Sequence, residues 1–264
     1  MHPPKGPLFA ALTAAVCLGL QGCTGGDAFR PIGSTTGRLA PAAAFEALVL
    51  DLEVATVRLR EGDGADLEVR ADVSVKDTFA GSVAAAADGA LPFGEWIDLQ
   101  QQGGRVVLRS ARRGADHELR LEIVVPRGAH ALDAHVVVGS LDLAVTEAPQ
   151  LDLDLSVGTL RARVDRVSGA LTARVATGTI DVVVDAAVGG DVSAIVGVGD
   201  VTLDLPDDAE GRFELSAAVG SVRGAAAWGL AERSTLTGAS AEGRRGAAER
   251  RVRAVSSTGT VTLR

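Results

Sequence analysis

A glycine recurs through the second half of the chain at intervals close to twenty residues, and the residues around it follow one pattern. The units are LDAHVVVGSLDLAV, LDLDLSVGTLRARV, LTARVATGTIDVVV, VSAIVGVGDVTLDL, FELSAAVGSVRGAA and VRAVSSTGTVTLR. Their glycines are Gly139, Gly158, Gly178, Gly199, Gly220 and Gly259, with spacings of 19, 20, 21, 21 and 39, the last close to two periods. A unit of this size cannot bury its own apolar face, so a fixed period near twenty predicts units stacked on one another as a solenoid.

Within each unit apolar and polar residues alternate. Leu151, Leu153, Leu155 and Val157 precede Gly158, and Leu160, Ala162 and Val164 follow it, with Asp152, Asp154, Arg161 and Arg163 between them. The next unit fills these slots with Leu171, Ala173, Val175, Ile180, Val182 and Val184, and the one after with Val192, Ala194, Val196, Val201, Leu203 and Leu205. A period of two predicts strands with one face buried and one solvated. Glycine followed by Ser, Thr or Asp supplies a positive-φ corner that a residue with a Cβ adopts only at a cost. The same grammar appears earlier, where Leu48, Leu50, Leu52 and Val54 lead to Ala55, then Val57 and Leu59. Ala55 stands in the glycine slot, so the corner there must differ. The predicted fold is all-β, a single-domain β-solenoid of about twenty-residue rungs. The alternative is an antiparallel meander sandwich, because strand–Gly-Thr–strand also reads as a hairpin.

The stretches around the repeat are less regular. Residues 44–126 hold strands such as LEVRADVSV, RVVLRS and HELRLEIVVP, with a loop-like excursion from Asp77 to Glu95; residues 127–264 hold the regular repeats. A second irregular stretch, Ala225–Ala248, fills the missing period before the last unit. The final strand, Val261–Leu263, is expected at an edge of the stack, and an unpaired edge invites association unless covered. Ala225–Arg245, with Trp228 and Leu230, is the expected cover that keeps the domain monomeric.

The first 22 residues read as an export signal. Lys5 precedes PLFAALTAAVCLGL, 14 mostly apolar residues without charge, too short to span a bilayer comfortably. Leu20-Gln21-Gly22-Cys23 resembles the bacterial lipoprotein signal, which implies cleavage before Cys23 and acylation of its thiol. Each acyl CH₂ buried in a membrane contributes about 0.8 kcal/mol. Residues 24–43 are rich in Gly, Pro, Ser and Thr and read, with Cys23, as a lipid-anchored flexible tether ahead of a domain at 44–264.

Composition narrows the function classes. The only cysteines are Cys17 and Cys23, so the domain has no thiol for a disulfide, a zinc site or a nucleophile. The net charge of −8 and an aromatic content of 3%, with no Tyr, exclude a basic face with stacking platforms for nucleic acid.

Side chains with chemistry are scattered. His130 and His135 fall on opposite faces of a strand, a poor metal pair, and His117 lies apart. Asp204, Asp207, Asp208 and Glu210, with Gly-Asp corners at Asp191 and Asp200, read as solvated turn carboxylates rather than a calcium site, because the β-roll nonapeptide is missing. No Ser/His/Asp set or carboxylate dyad stands at a suggestive spacing, so no enzyme, metal or cofactor is expected. Arg244, Arg245, Arg250, Arg251 and Arg253 form the most partner-like cluster, offset by Glu242 and Glu249. They are the candidate contact for an anionic glycan, a lipid headgroup or an acidic envelope protein.

The repeated V-G-[ST]-[LIV]-x-[LV] units and the closing TVTLR resemble a bacterial family of repetitive β proteins regarded as candidate adhesins. The resemblance spans roughly residues 44–264. It implies an envelope-exposed β-solenoid with no catalytic residues to carry over. The expectation is a non-enzymatic, exported lipoprotein of the cell envelope, on the periplasmic or surface side with the outer membrane favoured, acting as an adhesin-like binding or structural module. The alternatives are an envelope-stress or signalling accessory that binds a membrane partner, and a glycan-active enzyme on the same scaffold.

Overall fold

A computed structural model of the protein describes residues 29–40, 45–76, 91–128 and 130–264. The signal segment and Cys23 lie outside the described residues.

The repeat units are long strands, each bent once at its glycine. They are β7 (Ala131–Ala148), β8 (Leu151–Val167), β9 (Leu171–Val188), β10 (Val192–Asp204), β11 (Gly211–Arg223) and β14 (Arg251–Leu263). The earlier unit is β2 (Ala47–Gly62). Neighbouring rungs pair in parallel, slot on slot: Leu132, Leu151, Leu171 and Val192 form one column, and Val136, Leu155, Val175 and Val196 another. Every residue of both columns is 5% exposed or less. Like on like at one period is the solenoid solution. Antiparallel pairing is confined to the two ends, so the meander sandwich does not form.

The corner glycines sit at φ between 136° and 144°. A Cβ on Gly158 would stand 1.7 Å from the Gly139 carbonyl oxygen, so backbone conformation and rung spacing both demand glycine. Ala55 occupies the slot that starts this column. No residue other than glycine has positive φ among the described residues, so its corner is made differently, as expected. One assignment changes. Val54 and Val157, read as inward, are half-exposed, and their counterparts Val138, Val198 and Val219 are 42%, 53% and 51% exposed. In the glycine-cornered rungs the positive-φ glycine breaks the alternation, so the residue before the corner turns outward; Val54 does so beside Ala55 without one.

The order of rungs departs from chain order. The stack runs β2-β7-β8-β9-β10-β14-β11, so the last strand lies between β10 and β11. Val261 pairs with Val201 on one side and Val222 on the other. The edge expected at Val261–Leu263 therefore does not exist, and β11 is the terminal rung. Connector length marks the gap. Residues 149–150, 168–170 and 189–191 join adjacent rungs, whereas the six residues 205–210 join β10 to a rung two steps away.

Short strands finish both ends. β12 (Ala231–Ser234) and β13 (Ala239–Arg245) form a hairpin, and β13 pairs with β11 along Gly211–Ala217. Ahead of it a 3₁₀ turn, Ala225–Trp228, packs Trp228 against Phe213 with ring centroids 5.5 Å apart. The irregular stretch thus covers the end of the stack, as expected, although the rung it covers is β11. At the other end β2 splits its pairing. Its first half meets β5 (Arg105–Ser110), which carries β4 (Ile97–Gln102). Its second half meets β6 (His117–Pro126), followed by β3 (Leu67–Lys76) and β1 (Phe29–Leu39). The tether reading fails for residues 29–39, which form an edge strand. With one neighbour, β1 tolerates Pro31 and a register shift between Pro31 and Gly33.

Candidate functional site

The terminal rungs bring arginines from distant parts of the sequence onto one outward face. Arg212 on β11 pairs in register with Arg251 on β14 and with Arg244 on β13. Three arginine side chains thus stand in a row across three strands, each about 5 Å from the next at the backbone. Their side chains are 65%, 58% and 55% exposed, in the order Arg212, Arg251, Arg244. The next row of this face reads Arg253, Glu214 and Glu242.

The carboxylates nearby neutralise the row only in part. Glu214 bridges two of its members, at 3.2 Å from Arg212 Nε and 3.8 Å from Arg251 Nε. Arg244 Nη2 donates to Glu249 Oε1 at 3.0 Å, and also to the Ala247 carbonyl. Glu242 is engaged by Arg233 at 2.8 Å. Arg253 makes no ion pair among the described residues. Arg212, Arg233, Arg244, Arg251 and Arg253 thus share this face with Glu214, Glu242 and Glu249, and the Asp191 carboxylate adjoins the row at the Arg251 N–H. A groove of about 480 Å³ lies along the row, between Arg212, Arg244, Arg251 and the two carboxylates of Glu242 and Glu249.

Of the five arginines singled out in the sequence, Arg244, Arg251 and Arg253 share this face. The other two serve the fold. Arg245 is one residue past Arg244 on β13, so it turns inward, and its guanidinium lies 4.7 Å over the Trp228 ring. Arg250 Nε donates to the Glu210 carbonyl, while the Glu210 carboxylate accepts the Ala247 and Ala248 N–H groups at 3.0 and 3.2 Å. Arg212 escaped the sequence reading because it lies in a different repeat unit. Its signal was available: Arg212 precedes Phe213 as Arg251 precedes Val252, in the same slot of the repeat.

The other candidates resolve into structural roles. Asp191 Oδ1 accepts the Arg251 N–H and Asp200 Oδ1 the Thr260 N–H, both at 2.7 Å, so the two Gly-Asp corners hold β14 in place. No group of three or more metal-ligating side chains stands together among the described residues. His130 places Nδ1 2.8 Å from the Phe45 carbonyl and Nε2 2.9 Å from the Pro126 carbonyl, donating to one of them when neutral, and His135 is exposed in a polar column. His117 is buried against Trp96, and the Nε2 of the histidine and Nε1 of the tryptophan have no hydrogen-bond partner among the described residues. Burial holds the His117 imidazole below its ordinary pKa, against the opposing pull of Glu53. An apolar cavity lined by Phe45, Leu48 and Leu132 measures about 20 Å³, room for little more than a water.

Fold and face together define a β-solenoid-like repeat protein whose distinctive surface is polar and cationic. The family model described as Toastrack DUF4097 matches residues 99–264, and the chain belongs to that family. Among solved structures, a candidate cell adhesion protein from Clostridium sporogenes aligns at 14% identity and a TM-score of 0.48, over 89% of this chain and 99% of its own. A candidate adhesin from Bacteroides fragilis aligns at 8% identity and a TM-score of 0.25, over 87% and 95% of the two chains. One from Parabacteroides distasonis aligns at 10% identity and a TM-score of 0.26, over 88% and 97%. No curated protein is significantly similar to the chain.

Proposed function

We propose that the protein is a non-enzymatic lipoprotein of the cell envelope, anchored through Cys23, whose β stack presents an adhesin-like binding surface. The observation that carries this reading is the placement of the arginine row. The segment bearing Cys23 leads directly into β1, at one end of the stack. The row lies at the other end, six strand steps beyond β2, which amounts to about 29 Å. An anchored stack with this polarity carries the arginine row at the end far from the anchor. The parallel rungs pair their backbones throughout, giving the rigidity that a display scaffold needs.

The test is fractionation of the Cys23→Ser variant. It is expected to be exported and to leave the membrane fraction, because no helix among the described residues is long and apolar enough to cross a membrane. Membrane partitioning equal to wild type, with the signal cleaved, would overturn the anchoring.

A further inference from the structure

The geometry points to a carboxylate-bearing polysaccharide, of the uronate type, as the ligand of the arginine row. This rests on the reading of that face as the binding surface.

The ligand chemistry is written in the groove by the chain's own side chains. Glu249 is 91% exposed and tied to the fold only through Arg244, so its carboxylate stands where a ligand carboxylate would stand. Glu214 shows that a second carboxylate can sit between Arg212 and Arg251. Guanidinium groups bind carboxylates through paired N–H donors in a fixed geometry, which a row of lysines would not match. An exposed pair such as Arg244–Glu249 is readily displaced, so Glu249 is a weak internal competitor rather than a permanent occupant.

The class of macromolecule follows from the rest of the lining. Beside the charged groups the groove presents only Gly243 and Ala248, with no large aliphatic or aromatic side chain in its lining. A lipid headgroup brings a single phosphate, which one or two of these arginines would satisfy. A sugar brings hydroxyls, and the Glu242 carboxylate can accept hydrogen bonds from them. Arg251 to Arg244 spans two strand steps, about 10 Å, and Arg253 extends the positive surface along β14. A linear chain with a carboxylate on successive residues meets several of these arginines at once, which gains affinity through multivalency.

The experiment uses the full-length protein anchored in phosphatidylcholine nanodiscs free of detergent, titrated with a galacturonate hexamer, its fully methyl-esterified form, and phosphatidylglycerol vesicles. The acid hexamer is expected to bind with an affinity that falls as salt rises, and the neutral ester is not. The double variant Arg212→Gln/Arg251→Gln should weaken binding by about tenfold or more. Glu249→Gln should tighten it by about threefold, because the competitor is gone. Arg161→Gln, on the other side of the rungs, should leave binding unchanged, and circular dichroism checks that each variant folds. Equal binding of acid and ester, an unaffected double variant, or a Glu249→Gln variant no tighter than wild type would each overturn the proposal. Vesicles that bind while the hexamer does not would place a phosphate headgroup in the groove, overturning the glycan while leaving the binding surface standing. Binding of neither would overturn both, independently of the Cys23 anchor.

Discussion

The carbonyl oxygen of Gly158 occupies the space a side chain on Gly178 would need: a Cβ there would stand 1.7 Å away. Gly178 also has φ at 142°. Gly178→Ala must therefore displace backbone in two rungs, and we expect it to destabilise the protein by about 2–4 kcal/mol in urea unfolding. Gly103 has φ at 64° but open space around it. Gly103→Ala should cost only about 1 kcal/mol. Equal losses would mean that rung spacing plays no part in the glycine requirement.

The inward columns predict a contrast between adjacent residues. Leu155 is fully buried between Val136 and Val175, whereas Asp154 beside it is half-exposed. Leu155→Asp places an unpartnered carboxylate in the core and is expected to abolish cooperative unfolding. Asp154→Asn should change stability by less than about 0.5 kcal/mol. Thermal melts followed by circular dichroism distinguish the two.

His117 predicts a pH dependence. Its pKa is lowered in the folded state, chiefly by burial, so below about pH 6.5 the unfolded chain binds more protons than the folded one. Its contribution to stability is complete above that pH and is lost as pH falls toward the lower folded value. Urea midpoints measured from pH 8 down to pH 5 should decline below pH 6.5. His117→Phe should flatten that decline; an unchanged slope would assign it to other groups.

Removing residues 225–245 should expose β11. The deletion leaves residue 224 and residues 246–250, six in all, as many as connect β10 to β11, so β14 can still reach its slot. The outer edge of β11 then has no partner along Gly211–Ala217. Concentration-dependent association by light scattering, with β content retained, is the expected result. A strictly monomeric variant would show that the hairpin is not an edge cover.

The repeat was legible because its period and its alternation are local properties. Leu153 and Val182 sit inward for the reason their spacing suggests, and the glycines mark the corners. Strand order is not local. Nothing between Gly220 and Gly259 says that the later rung slips in front of the earlier one, although the doubled spacing and the six-residue connector after Asp204 are its traces. β1 lacks a clear strand signature because Gly33, Ser34 and Thr36 weaken the alternation, and an edge strand needs only one good neighbour. The arginine face was half visible. Arg244, Arg251 and Arg253 lie close in sequence, but Arg212 joins them only through the pairing of β11 with β14.

The placement of β14 has a consequence for the order of assembly. A chain emerging from its N-terminal end can build rungs from β2 to β10 one upon another, each templated by the last. β11 emerges next and meets an edge of β10 that it could occupy, with a glycine ready for the same corner. Such a shortcut would shut out the strand still to come and lock the protein one rung short. In the finished fold residues 205–210 are long enough to set β11 two steps from β10, and Asp191 and Asp200 bind N–H groups of β14 in the slot between them. The last strand of the chain therefore has to enter between two strands made before it. Refolding in the presence of a synthetic β14 peptide should show competition for that slot.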